Sequence, residues 1–161
     1  MKVTLGPFAR DEETFRKMAE QMNKKPETAA ALLFIALQNF IEDKERGINM
    51  LNIIHNPKQP VSNHQISFLR DRFSDKSYLI RSYFLGAKPE NNYTPNEPYV
   101  VDLERNKMYE QPGIANIFVK NAGADSPRKI AVRQKGDVWY IWDYSAIVAG
   151  VRKPADEDPW A

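Results

Sequence analysis

The sequence predicts an α+β fold, with an N-terminal helical half of about four helices packed on a C-terminal antiparallel β-meander of about four strands. Before residue 73 the apolar residues recur at helical spacing. After residue 98 they form short runs rich in β-branched and aromatic side chains. Helices followed by strands are typical of an α+β arrangement. At 161 residues we expect one domain. Its parts are a helical part at about 10–73, a connecting loop at 74–98 and a β part at about 99–161.

Four segments of the first half predict helices, and two of them carry start signals. The first is "DEETFRKMAEQM" (11–22), and the second, roughly 27–42, follows Pro26 at a position that proline favours. The second is apolar on most of its circumference, so we expect it to be the central buried helix. A third lies in "DKERGINMLNIIHNP". In the fourth, about 63–73, Ser62 and Gln65 have the spacing of a capping box.

Four strands are predicted in the second half, in "YVVDLER" (99–105), "ANIFVKN" (115–121), "RKIAVRQK" (128–135) and "VWYIWDY" (138–144). Only Gly136 and Asp137 separate the last two, which predicts a hairpin with a tight type II′ or I′ turn. The short connections favour an antiparallel meander. We expect "YSAIVAG" to form a helical turn closed by Gly150.

Composition excludes several classes of protein. Without cysteine there is no disulfide framework and no thiolate metal site. The net charge is +2 with no basic stretch, so we expect no nucleic-acid binding. The most apolar stretch, "AAALLFIALQNFI", is too short to span a bilayer. We therefore expect a soluble cytoplasmic protein without membrane contact.

No motif predicts catalysis, a metal site or a cofactor. His55 and His64 match no metal-binding spacing, and both are interpreted as structural. The glycines form no phosphate-binding loop. We interpret "ADEDP" (155–159) as a solvated acidic segment because it lacks the alternation and the glycine of a calcium loop. These observations favour a protein that is not an enzyme.

The connecting loop contains the first group of candidate binding residues, in "RSYFLGAKPENNYTPNEPY" (81–99). Long irregular loops often hold binding residues, and tyrosine beside asparagine combines stiff aromatic surface with adaptable hydrogen bonding. The alternative is a loop that wraps the sheet edge, with packed tyrosines and asparagines that satisfy turn backbone. The candidates are Arg81, Tyr83, Asn91, Asn92 and Tyr93.

The last hairpin and the segment after it form the second group, with Trp139, Trp142 and Trp160 as candidates. Strand alternation places Val138, Tyr140, Trp142 and Tyr144 on one face and Trp139, Ile141 and Asp143 on the other. Both faces are thus aromatic. Core packing, a ligand or partner surface, and a platform for single-stranded nucleic acid beside Lys120, Arg133 and Lys135 all stay open, in that order of preference. We expect "VRKPADEDPW" to cover one face, with Trp160 as its anchor.

Three segments resemble an uncharacterised bacterial protein family, a domain of unknown function found mainly in anaerobic Gram-positive bacteria of the gut. They are "RSYFLGAKPENNYTPNEPY", "KNAGADSPRKIAVRQKGDVWYIWDYS" and "AGVRKPADEDPW". The resemblance extends from about the second helix to the end of the chain. It implies a small stand-alone bacterial protein and no particular activity, ligand or site residue.

Two functional hypotheses follow. The first is a non-enzymatic module that binds a protein partner, or a second copy of itself, through residues 81–99 and the last hairpin. The second is a small-molecule binder or enzyme with a cleft between the helices and the sheet, for which Arg81, Tyr93 and Arg152 are candidate polar groups.

Overall fold

Local sequence signals set the starts of the four helices in the computed structural model, which describes residues 1–161. Asp11, Asp43 and Ser62 cap the first, third and fourth helices through their side chains. At the fourth helix the predicted capping box is present, because Ser62 and Gln65 exchange two hydrogen bonds. The second helix begins at Pro26. The helices are α1 (Glu12–Met22), α2 (Pro26–Glu42), α3 (Lys44–Ile54) and α4 (Asn63–Phe73).

Five antiparallel strands form one sheet in the order β1-β2-β3-β4-β5. The predicted α+β class and the meander β2–β5 are confirmed. The first strand was not predicted, and it pairs its Val3 with Val101 of β2. Three residues are too few for a recognisable alternation. The strands are β1 (Lys2–Thr4), β2 (Val100–Arg105), β3 (Ile114–Val119), β4 (Arg128–Lys135) and β5 (Val138–Asp143).

The core lies between α2 and the inner face of the sheet. α2 is buried continuously from Ala29 to Phe40, as its all-round apolar sequence predicts, and it contacts β2, β3, β4 and β5. The inward-facing residues of the strands, such as Leu103 and Ile117, belong with α2 to one cluster of 35 buried residues.

Helices α2 and α3 meet closely at Gly47. A Cβ atom at Gly47 would lie 2.2 Å from the Cα atom of Phe40, so the two backbones approach too closely for any larger residue. A neighbouring polar contact supports the same corner, where the buried side chain of Asn39 accepts a hydrogen bond from Arg46 at 2.8 Å.

The last hairpin departs from simple alternation. Its two-residue turn has positive φ at Gly136 alone, as in a type II′ turn. Ala131 pairs with Asp143 but Val132 pairs with Ile141, so Trp142 is an extra residue on β5. As a result Trp142 and Asp143 are both exposed and Tyr144 is buried, which corrects the face assignment expected from strict alternation.

The predicted helical turn at 144–150 is present only in part, as two i→i+3 backbone hydrogen bonds, from the N–H of Ile147 to Tyr144 and from the N–H of Ala149 to Ala146. These residues form successive turns, and Gly150 does not adopt a positive φ. The segment is held from the side instead, because the Arg128 guanidinium donates to the carbonyls of Ala149 (2.7 Å) and Gly150 (2.6 Å). Backbone carbonyls satisfied in this way need no helical pairing.

Candidate functional site: a basic groove beside the last strand

The candidates in the connecting loop bond mainly to their own chain. The buried hydroxyl of Tyr83 donates to the carbonyl of Ile147 and accepts from Arg128 at 3.2 Å. Arg81 Nε donates to the carbonyl of Tyr93 at 3.1 Å. The Tyr83 contact joins the 81–99 loop to the turns at 144–150, and the Arg81 contact links two parts of the loop itself.

The next three candidates continue that pattern. Asn91 accepts hydrogen bonds from the backbone N–H groups of Lys88 and Thr94, and Asn92 accepts one from Asp156 at 2.8 Å. Tyr93 is fully buried, stacks on Tyr78 at 5.4 Å and donates its hydroxyl proton to the carbonyl of Arg152. Burial raises the pKa of Tyr93 to about 12, so the hydroxyl stays protonated.

Arg152 binds the β3–β4 connection. Its Nη1 lies 2.8 Å from Asp125, its Nη2 donates to Ala122, and its backbone N–H donates to the carbonyl of Gly123. The loop candidates and Arg152 therefore fasten residues 144–157 at this end of the sheet. Their role in binding a partner stays a prediction.

The two tryptophans of the hairpin differ in environment. Trp139 is partly buried against the core and has the guanidinium of Arg105 at 5.7 Å from its ring. Its backbone N–H donates to the carbonyl of Asn23. Trp142 is 45% exposed, and the guanidinium of Arg133 lies 4.5 Å from its ring. Of these two rings, only that of Trp142 therefore presents a large aromatic surface to solvent.

The expected covering of the hairpin by the last residues is wrong. Trp160 is 92% exposed and anchors nothing within the chain. The reason is that Asn92 and the β3–β4 connection hold residues 152–156, at the end of β4 that is remote from its hairpin turn. We call residues 155–161 the acidic segment.

Beside the open edge of β5 runs a groove of about 920 Å³, which we call the basic groove. One wall is the α3–α4 connection with the start of α4, and the other is the β4–β5 hairpin. The first wall contributes His55, Asn56, Lys58, Gln59, Pro60 and Gln65. The second contributes Arg133, Gln134, Lys135, Tyr140, Ile141 and Trp142.

All charged side chains that line the basic groove are cationic. Lys58, Arg133 and Lys135 are exposed, and none of them forms an ion pair with a carboxylate of the chain. No aspartate or glutamate lines the groove. Three unpaired cations on facing walls produce a positive potential that attracts anions.

Neutral groups in the basic groove add hydrogen-bond donors. The side-chain oxygens of Asn56 and Gln65 accept from the backbone N–H groups of Lys58 (3.0 Å) and Ser62 (2.9 Å). Their amide NH₂ groups have no partner in the chain and remain available. Donor-rich walls suit a ligand that supplies acceptor oxygens, such as carboxylates.

His55 is the buried polar group of the groove. The side chain is 7% exposed, and Nε2 has no hydrogen-bond partner. Burial lowers the pKa of His55 below 6.5, and a hydrogen bond with the backbone of Gln59 opposes that effect more weakly. The imidazole is therefore neutral at pH 7, and its ring lies nearly perpendicular to that of Tyr144, with the centroids 6.2 Å apart.

An aromatic slot of about 190 Å³ adjoins the basic groove, because Gln65 and Trp142 line both. Its other walls come from α4, chiefly Phe68 and Leu69, and from residues 143–145. The slot has one carboxylate, Asp143, whose Oδ1 accepts hydrogen bonds from Ser145. An apolar or aromatic side chain is the natural occupant of such a space.

Sequence reasoning missed the wall formed by residues 55–65. Lys58 and Gln59 lie between two helices and belong to no motif, so no spacing signal marks them. The capping box at Ser62 predicts where α4 starts, but it does not predict that α4 faces the β4–β5 hairpin across the groove. Trp142 is the one predicted candidate that lines it.

None of the helices combines the length and the apolarity that crossing a membrane requires. No three histidine, aspartate or glutamate side chains come together in a way that would hold a metal ion.

Comparison with known proteins identifies a family. A family model described as a domain of unknown function (DUF6935) matches residues 7–155. The matched span contains all four helices, strands β2–β5 and both walls of the basic groove. No curated protein and no solved structure matches the chain.

Proposed function

We propose that this chain, which belongs to the DUF6935 family of domains of unknown function, is a single-domain, non-enzymatic interaction module that binds an acidic protein segment in the basic groove. The observation that carries the proposal is the set of three unpaired cations, Lys58, Arg133 and Lys135, on walls without a carboxylate. A cytoplasmic location and a bacterial source stay predictions of the sequence.

Exposed Trp142 supplies the second element of recognition. Tryptophan and arginine are enriched among the residues that dominate binding energy at protein interfaces, and here Arg133 lies over the Trp142 ring. An acidic segment that also carries an apolar or aromatic residue matches both the basic groove and the aromatic slot. The groove has a single imidazole and no carboxylate to work with it as an acid–base pair, which favours binding over catalysis.

The test is fluorescence anisotropy with a labelled peptide that contains several glutamates and one phenylalanine. A peptide of the same length with lysine in place of glutamate is the control. We expect the acidic peptide alone to bind, with affinity that falls as salt rises. Trp142→Ala and Lys135→Glu should each weaken binding, by about fivefold or more since such contacts are worth about 1 kcal/mol.

Lys129→Glu is the matched control variant, because Lys129 is exposed on the same strand and outside the groove. It makes the same change in net charge and should leave binding nearly unchanged. If Lys129→Glu and Lys135→Glu weaken peptide binding equally, the effect comes from the net charge of the protein. The basic groove is then not the binding site. No binding of the acidic peptide at low salt would refute the proposal.

A small anionic ligand is the second candidate function, favoured by the unpaired Nε2 of buried His55. A volume of about 920 Å³ is within the range of small-molecule sites. Thermal unfolding with inorganic phosphate and with a nucleoside monophosphate tests it, since a ligand that binds only the folded chain raises Tm. A rise in wild type that Lys135→Glu abolishes supports this candidate, and no rise with either compound contradicts it.

A further inference from the structure

We infer that the acidic segment of one copy occupies the basic groove of a second copy, with Trp160 in the aromatic slot. This inference rests on the proposed function and names the partner as the chain itself. It uses three features: the cations of the groove and the carboxylates of the segment, which form no ion pairs within the chain, and the exposed ring of Trp160.

The charges of the two surfaces correspond. Asp156, Glu157 and Asp158 are consecutive, and none of their carboxylates is in an ion pair within the chain. The groove has an equal number of unpaired cations. Opposite potentials on two surfaces of one molecule steer copies toward a contact between them.

The order of residues also fits. In the segment an aromatic residue, Trp160, follows the three acidic residues after Pro159. In the receptor the aromatic slot adjoins the basic groove through Trp142 and Gln65. A chain that lays its carboxylates in the groove therefore brings Trp160 to the slot beside Trp142. Burial of a tryptophan that is 92% exposed is a large apolar gain.

The segment does not reach the groove of its own chain. Arg152 is bonded to Gly123 and Asp125 in the β3–β4 connection, at the end of β4 opposite Lys135. An eight-residue strand separates the two ends by about 25 Å. The backbone N–H of Asp156 donates to Asn92 at 2.8 Å, which holds the start of the acidic segment at that end. A second copy removes this restriction.

The contact joins two different surfaces of the molecule. Such a contact closes into a dimer when two copies exchange segments reciprocally, and extends into longer assemblies when they do not. Residues 156–161 lie outside the span that matches the family model, so we infer self-association for this chain alone.

Sedimentation velocity of the full chain, from micromolar to submillimolar concentration, tests the inference. We expect the mass to rise with concentration and the association to weaken in high salt. Trp160→Ala should weaken association about tenfold or more, as for a central aromatic residue at an interface. Tyr109→Ala is the matched control, because Tyr109 is 84% exposed on the β2–β3 connection and should have no effect.

A mixing experiment adds specificity. Lys135→Glu damages only the groove and Trp160→Ala only the segment, so each variant alone should associate more weakly than wild type. Their mixture retains one intact groove and one intact segment, and should form a heterodimer. Mixtures that associate no more strongly than the separate variants, or a Trp160→Ala variant that associates as wild type does, would overturn the inference.

The acidic phenylalanine peptide separates failure of this inference from failure of the proposed function. If the peptide binds the groove while the wild-type chain stays monomeric at every concentration, the partner is another protein and the inference is wrong. If neither peptide binding nor self-association occurs, the proposed function fails as well. Dissociation of the self-associated chain by excess peptide supports both.

Discussion

Replacing each hairpin tryptophan by alanine separates the packed ring from the exposed one. Trp139 is partly buried against the core and beside Arg105, whereas Trp142 is 45% exposed and touches Arg133. We therefore expect Trp139→Ala to destabilise the fold and Trp142→Ala to leave it largely intact while it weakens acidic-peptide binding.

The magnitudes follow from burial. Removing a fully buried large aromatic side chain costs about 3–5 kcal/mol, so partly buried Trp139 should cost about 2–3 kcal/mol. Trp142→Ala loses one cation–π contact and part of a half-exposed surface, together about 1 kcal/mol. For a chain of this size the corresponding falls in Tm are about 5–10 °C and about 2–4 °C.

Urea unfolding followed by far-UV circular dichroism measures both variants, because each substitution alters tryptophan fluorescence directly. The free energies are comparable if the m-values stay equal. Acidic-peptide binding is then measured on the folded variants. If Trp142→Ala costs as much stability as Trp139→Ala, Trp142 is a core residue and the interpretation of its exposed face is wrong.

Three other predictions concern the scaffold and the buried histidine. Gly47→Ala should lower the free energy of unfolding by about 2 kcal/mol or more, because the Cβ atom of alanine would collide with the Phe40 backbone. This loss should outweigh the higher helix propensity of alanine. An unchanged free energy in urea unfolding would contradict the close approach of the two helices. Tyr93→Phe should cost about 1–2 kcal/mol by leaving the Arg152 carbonyl unpaired, and an unchanged Tm counts against that bond. His55 has a lowered pKa, so below about pH 6.5 the unfolded chain binds the proton first and stability falls with acidification, by at most about 1.4 kcal/mol per pH unit. His55→Gln should flatten this dependence between pH 7.5 and 5.5, and identical pH profiles of the two proteins would show that His55 does not contribute.

Where one short stretch determines an element, the sequence predicts it well. The side chains of Ser62 and Gln65 each accept a hydrogen bond from the other residue's backbone N–H, so four residues are enough to start α4. The positive φ of Gly136 likewise determines the tight turn of the last hairpin. Strand β1 forms only by pairing with β2, which lies far along the chain, so the sequence near β1 does not predict it. The bulge at Trp142 was not predicted either, because the alternation of residues along β5 contains no information on how β5 pairs with β4.

The site is harder to predict than the fold because its two walls are distant in sequence. Trp142 is a candidate from the sequence because strand alternation places aromatic residues on both faces of the last hairpin, whereas Lys58 belongs to the site only because the α3–α4 connection faces β5. Aromatic and polar residues of the 81–99 loop look the same in sequence whether they bind a ligand or support backbone. Tyr93 shows the difference, since its hydroxyl meets a carbonyl of its own chain.

The pairing of β1 with β2 has a consequence for the order of folding. During synthesis the first residues emerge early, but Val3 has no partner until Val101 has been made. All four helices are complete in between, so they can gather around α2 before any strand pairs. Closing so long a loop early is entropically costly, and β1 should therefore join last, after the meander has formed. Until then the edge of β2 is open, and that interval is when the nascent chain most needs protection from pairing with a neighbour.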